Sequence, residues 1–244
     1  MKAIILKKNL FSEGNEILTM YTRELGKVRA VARSVKSPKS KLAYALQTFF
    51  FTELEILPNR KLAAITAVKP LEVFQNIYAS PQKVAYAMYA TEVLLKSTAD
   101  EEENTEIFDL FLELLRHVDR SKHLKHVCVD IFVLELLALS GYALTVHSCV
   151  LCAKKLTEDI SFSNRKGGFV CKDCALKVSD ASRVSEPVYL LIAKHANLKS
   201  TQEDFEEIDN GALEFAGEVH RITESFAKHI LERDLNTSGL LGKL

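Results

Sequence analysis

The chain has 244 residues, 48% hydrophobic and 26% charged, the balance of a soluble globular protein with room for one large domain or two to three small ones. No stretch is apolar for long enough to span a bilayer: residues 3–6 are stopped by Lys7 and Lys8, and residues 131–146 are interrupted by Glu135 and Gly141. The formal net charge is zero, which alone argues against a nucleic-acid partner, but residues 1–79 hold 13 Lys/Arg against 6 Asp/Glu, a net of +7, while residues 80–244 hold 19 against 26, a net of −7.

Residues 2–9, 16–22, 27–34, 46–57 and 62–74 are rich in Ile, Val, Leu, Phe, Thr and Tyr and read as five strands. Turn-like segments at 12–15, 24–26 and 58–60 separate them. In the third, Val28, Ala30 and Ala32 share one face, with Lys27, Arg29, Val31 and Arg33 on the other. In the fourth, Leu46, Phe50, Leu54 and Ile56 point one way, with Glu53 and Glu55 opposite. Five such strands fit a small antiparallel barrel, and an OB-type barrel suits this size.

After Ser80-Pro81 the period becomes helical. Helices are expected over 81–98, from Asn104 or Thr105 onward with Ile107, Leu110, Phe111, Leu114 and Leu115 on one face, and over 122–140 with Gly141 as the stop. The run 101–103 reads as a solvated acidic loop and 179–185 as a linker. Helical pattern returns at 186–196 and at 212–235.

Four of the five cysteines form Cys149-x2-Cys152, eighteen residues, then Cys171-x2-Cys174. Each pair can wrap a metal ion, and Gly167-Gly168 can turn the intervening segment into a hairpin. Four thiolates fill a tetrahedral Zn²⁺ and leave no position for water, so the expected zinc is structural rather than catalytic. The alternatives are two redox CxxC motifs, an iron–sulfur cluster or reduced core cysteines. The redox reading wants each pair to open a helix in a βαβ unit, and no such unit is visible. Cys128 reads as a small buried residue within a helix. His147 is a substitute ligand in principle, but with four thiols available it simply precedes the site.

No catalytic set assembles. The deaminase signature His-x-Glu with Pro-Cys-x-x-Cys is absent, because Ser148 and Val170 precede the cysteine pairs. Neither a phosphate-binding P-loop nor a dinucleotide fingerprint is present.

Lys27, Arg29 and Arg33 alternate on one strand, about 6.6 Å apart, a spacing comparable to successive phosphates on an extended nucleic-acid strand. The stripe continues into a loop with Lys36, Lys39 and Lys41, and Arg23 and Arg60 can extend it. Tyr21, Phe49 and Phe51 are candidate stacking platforms; the alternative places Phe49 and Phe51 in the core or at a domain interface. A basic cluster in the otherwise acidic part, Arg116, His117, Arg120, Lys122, His123, Lys125 and His126, contains only Asp119 as an acid. It reads either as a partner-binding patch or as a solvated helix junction.

The segments 2–6, 16–27 and 30–33, then Leu46-Gln47-Thr48-Phe49, Leu139-Ser140-Gly141-Tyr142 before Cys149-x2-Cys152, and residues 167–171 together resemble bacterial RecO proteins, in the same order along nearly the whole chain. The resemblance implies an α+β multidomain protein: an OB-fold domain at 1–79, an α-helical domain at 80–146 and 179–244, and an inserted four-cysteine zinc element at 147–178. It implies binding to single- and double-stranded DNA and annealing of complementary strands. It also implies cooperation with RecR to load RecA onto DNA coated by single-strand-binding protein. From its local charge, the cluster at Arg116, Arg120, Lys122 and Lys125 is the candidate to receive the acidic tail of single-strand-binding protein. The expected setting is the cytoplasm, in association with the nucleoid, with no membrane partner. The competing reading is an OB-fold and zinc-ribbon module that binds RNA or regulates another protein.

Overall fold

Apolar and β-branched residues from Lys2 onward build β1 (Lys2–Ser12), β2 (Asn15–Thr22) and β3 (Gly26–Ala32), then, after a short α1 (Lys41–Ala45), β4 (Phe51–Leu57) and β5 (Ala63–Glu72). This is a computed structural model; it describes residues 1–12, 14–33, 35, 41–59, 62–211, 214–237 and 239, without the side chains of Lys41 and Leu42. The strands close into a barrel in the order β1-β2-β3-β5-β4, with β4 returning to β1. The β3–β5 pair is parallel and the other four are antiparallel, which is OB-type topology. Ala3, Ile5, Leu18, Met20, Val28, Ala30, Leu54 and Ile65 fill the interior.

The barrel is covered on one flank. Residues 3–6 of β1 are buried without a break, and Ile4, Leu6, Tyr21, Phe49 and Phe51 belong to the core of the helical part. A strand reads as a continuous apolar run when both of its faces are covered. At this joint Gly26, with φ of +63°, turns β2 into β3 against the backbone of Glu102. A Cβ there would stand 1.8 Å from the Glu102 carbonyl oxygen, so only glycine fits.

The fourth strand begins at Phe51, not at residue 46. Residues 41–45 form a helical turn instead, and Leu46 enters the barrel interior. Phe49 has φ of 67° and donates its N–H to the Ile5 carbonyl at 2.7 Å, so the chain kinks before the strand starts. Phe50 leaves the expected strand face and packs edge-on to Tyr44 and Tyr78.

The helices are α2 (Gln75–Tyr78), α3 (Pro81–Ser97), α4 (Thr105–Arg120), α5 (His126–Leu139), a short α6 (Lys172–Ala175), α7 (Glu186–His195), α8 (Gln202–Gly211) and α9 (Ala216–Leu231). Ser80 caps α3 with Pro81 at its first turn, and the Asn104 side chain accepts the Glu106 and Ile107 amides at 3.1 and 3.0 Å. Helix α5 is buried on all sides from Val127 to Leu137, which explains the most apolar stretch of the sequence as the centre of a core.

Two expectations needed correction here. The linker at 179–185 contains β8 (Ser182–Arg183), which pairs with β6 (Ser161–Ser163); β6 also pairs with β7 (Gly168–Val170). Among the described residues, the late helical pattern at 212–235 is α9, and α8 before it has no counterpart in the sequence reading. Helix α8 is acidic and buries little beyond Phe205 and Ile208, so its apolar period is faint. Its N-terminal signal was present: Thr201 and Asp204 bond each other's amides reciprocally, as in a capping box.

Candidate metal centre and basic barrel surface

The two cysteine pairs sit at the ends of a hairpin. Ala153, with φ of 58°, turns the first pair back so that the Cys149 amide reaches the Lys154 carbonyl at 2.8 Å. The second pair straddles the start of α6, where the Ala175 amide reaches the Cys171 carbonyl at 2.9 Å. The hairpin between them closes against the segment before Cys149 through the parallel contact of Thr145 with Gly168. A Cβ on Gly168 would lie 2.5 Å from the Thr145 oxygen, so glycine permits the approach. Phe162 and Phe169 anchor the hairpin in the main core beside Phe226 and Tyr189.

All four Sγ atoms of Cys149, Cys152, Cys171 and Cys174 lie within 4.8 Å of one another, and Cys152 and Cys171 are 3.8 Å apart. Zinc–sulfur bonds of about 2.3 Å in a tetrahedron require sulfur separations of about 3.8 Å. The donor set therefore fits a tetrahedral thiophilic ion. Burial raises the Cys149 thiol, but the amides of Cys171, Leu151 and Cys152 aimed at its sulfur outweigh burial and bring it down to about 6. Cys174 moves the other way, to about 12, through hydrogen bonding with Cys152, burial and the crowding of Cys171 and Cys149. Four thiols this close ionise together only around a cation. Cys128 lies apart, fully buried, with its thiol donating to the Lys125 carbonyl at 3.0 Å. His147 is exposed.

The basic stripe is divided by the barrel's covered flank. Lys27 is not on the exposed face. Its Nζ donates to the Leu95 and Thr98 carbonyls at 2.9 and 2.6 Å and pairs with Asp100, capping the C-terminal end of α3. Arg23 is likewise engaged, bidentate on Asp109 and over the Phe108 ring. Arg29 projects into solvent, 3.6 Å from Asp100, and Arg33 is exposed just past the end of β3. Lys36, Lys39 and Arg60 lie outside the described residues, and Lys41 opens α1.

Lys7 was missed from sequence. The register of β1 on β2 shifts between Ile5 and Lys7, so Leu6 turns into the core and Lys7 turns out. Pairing then aligns Lys7, Thr19 and Arg29 across β1, β2 and β3. With strands about 4.8 Å apart, the two cations stand on backbones about 10 Å apart on one face. A bulge of this kind leaves no mark in an unbroken apolar run.

A second row, Asn9–Ile17–Val31–Ala64–Leu57, runs across all five strands. It brings the β1–β2 and β4–β5 turns to the same end of the barrel. Leu10, Phe11 and Leu57 are exposed there. The stacking candidates Tyr21, Phe49 and Phe51 are all buried at the joint with the helices, so the core alternative holds for them. Phe11 is the exposed aromatic on the β1–β2 hairpin.

The basic cluster on the helices is a packed junction. Arg116 is held by Glu72 and Glu113, Arg120 by Gln202, and Lys125 by the Asp209 carbonyl. His117 is buried against Asp209 at 2.8 Å, and Asp119 accepts the Asn76 and Ile77 amides. Lys122 and His123 are exposed. Among the described residues no helix is long and apolar enough to cross a membrane.

Residues 1–74 match the family model for the N-terminal part of Recombination protein O, and residues 79–239 match the model for its C-terminal part. The DNA repair protein RecO of Caldanaerobacter subterraneus subsp. tengcongensis is 32% identical over 204 residues, 81% of this chain and 82% of that protein. The protein of the same description from Dehalococcoides mccartyi is 32% identical over 174 residues, 71% of this chain and 68% of its own length. That of Pelotomaculum thermopropionicum is 26% identical over 241 residues, 99% of this chain and 92% of its own.

Proposed function

The chain belongs to the RecO family of DNA repair proteins, and from that premise we propose that it is a non-catalytic mediator whose barrel holds single-stranded DNA at the end where the β1–β2 and β4–β5 turns emerge. The observation that carries this reading is the outward row of Lys7, Thr19 and Arg29, with Arg33 exposed at the end of β3 on the same barrel. These cations neutralise phosphates, while exposed Phe11 offers a face on which a base stacks. Lys36, Lys39, Lys41 and Arg60 follow β3 and β4 in the sequence and are proposed as further phosphate contacts.

Backbone-directed contacts leave base edges free. A bound strand therefore stays available for pairing, and screening of its charge lowers the repulsion against a complementary strand. Annealing, and binding to duplex DNA through its phosphates, follow from the same contacts. The division of labour assigns 1–79 to DNA, 80–146 and 179–244 to partners, and 147–178 to a structural Zn²⁺ held by Cys149, Cys152, Cys171 and Cys174. That ion would hold the hairpin closed; four sulfur ligands leave it no position for chemistry. The partners are RecR, single-strand-binding protein and, through them, RecA, in the cytoplasm at the nucleoid. The acidic tail of single-strand-binding protein would meet the junction near Lys122 and Arg120.

Strand annealing by the purified protein, with and without single-strand-binding protein, tests the proposal, together with competition between single-stranded DNA and RNA of equal length. Annealing without nucleotide and a preference for DNA are expected. A strong preference for RNA would instead support an RNA-binding module, and a requirement for ATP would contradict a mediator without a phosphate loop.

A further inference from the structure

We propose that His126, Asp130 and His220 form a second divalent-metal site, distinct from the four-cysteine centre, that takes a transition-metal ion such as Ni²⁺ or Co²⁺ and clips α5 to α9. His126 and Asp130 are four residues apart on one face of α5, and α9 lays His220 against them. The Asp130 carboxylate is completely buried between the two rings. One oxygen is 2.8 Å from His220 Nδ1 and the other 3.1 Å from His126 Nδ1. The rings stand 5.3 Å apart between centroids, and the three donor atoms lie within 4.8 Å of one another.

Two imidazoles and one carboxylate are a nitrogen–oxygen set suited to divalent first-row metals. Bonds of about 2.1 Å in a tetrahedron need nitrogen–oxygen separations of about 3.4 Å. The observed separations of 2.8 and 3.1 Å would open to this by about 0.6 and 0.3 Å, within reach of small side-chain rotations. Three protein ligands leave at least one position open to water.

Charge points the same way. A buried carboxylate needs a cation. A metal ion held by the two rings would supply that charge. The Tyr89 hydroxyl on α3 is buried and has no hydrogen-bond partner among the described residues, and its ring packs edge-on to His220. An orphaned polar group bordering the cluster is the environment in which a further ligand finds a partner.

The site is also reachable. The His126 and His220 side chains keep 22% and 16% of their exposure. The neighbouring group of His117, Cys128 and Asp209 is wholly buried, and its thiol already bonds the Lys125 carbonyl.

The test uses the full-length, tag-free protein with its four-cysteine site loaded with zinc. Calorimetric titration with Ni²⁺ should show one further equivalent, with a rise in melting temperature. His126→Gln and His220→Gln should each weaken that event at least about tenfold and leave the bound zinc unchanged. In the wild-type protein, Ni²⁺ should broaden the imidazole resonances of His126 and His220 ahead of those of the other histidines, a readout that needs no variant to fold. Absence of a second equivalent, binding indifferent to both substitutions, or broadening centred on other histidines would overturn the site.

Discussion

On the barrel, Lys7, Arg29 and Arg33 are exposed to solvent, Arg29 with Asp100 3.6 Å away, whereas in the helical part Asp130 and Asp209 are buried, each bonded to groups from a different helix or loop. Charge in the first region is left available to a polyanion. Charge in the second is spent on joining secondary-structure elements. Lys27 and Arg23 mark the border: both are carried by barrel segments, yet both are used as the second region uses its charges. Exposure rather than count therefore decides which cations of a basic segment can meet DNA.

The largest expected effect tests the structural part of that contrast. Cys171→Ser, or removal of metal by a chelator, should destabilise the protein by on the order of 5 kcal/mol, read as a lowered melting temperature. DNA affinity of the molecules that remain folded should be unchanged. Loss of DNA binding without loss of stability would mean that the cysteine element touches DNA itself.

Next in size is Glu135. Burial raises its carboxyl to about 8 even though Ser200 donates to it from both hydroxyl and amide. The folded protein then holds a proton that the unfolded chain has released above the ordinary carboxyl range. Stability should fall as pH rises from about 4.5 and level off above about 8. Glu135→Gln, which mimics the protonated acid, should flatten that slope and stabilise the protein at pH 9 by on the order of 3 kcal/mol. Denaturant melts across pH check it; an identical slope in the variant would locate the proton elsewhere.

Lys27→Met sharpens the border. It removes two charge-assisted bonds to carbonyls and should cost about 2 kcal/mol in a denaturant melt. It should leave single-stranded DNA affinity nearly unaltered. A large loss of affinity at unchanged stability would return Lys27 to the DNA surface.

The parts of this organisation that were legible in sequence are those with a local cause. Composition and turn-like breaks marked the strands and alternation the two faces of β3, Ser80 and Asn104 marked the starts of α3 and α4, and the CxxC spacing marked the four sulfurs that converge. What escaped was tertiary. The faces of β3 were assigned correctly as two sets, but nothing local says that helices cover the barrel beside Lys27, Tyr21 and Phe51. The bulge that swings Lys7 outward is hidden in the run from Ala3 to Leu6. His126, Asp130 and His220 come together only because α9 packs along α5.

The central claim is that exposed barrel cations, not the total charge of the segment, bind single-stranded DNA. The direct measurement is the salt dependence of oligo-dT binding by fluorescence anisotropy for the wild type and for the triple variant Lys7→Glu, Arg29→Glu and Arg33→Glu, with Lys27→Met as the internal reference. Loss of three phosphate contacts should lower affinity at least about tenfold at moderate salt and reduce the slope of log affinity against log salt by about 2. Lys27→Met should keep the wild-type slope. Unchanged affinity and slope in the triple variant would contradict the account.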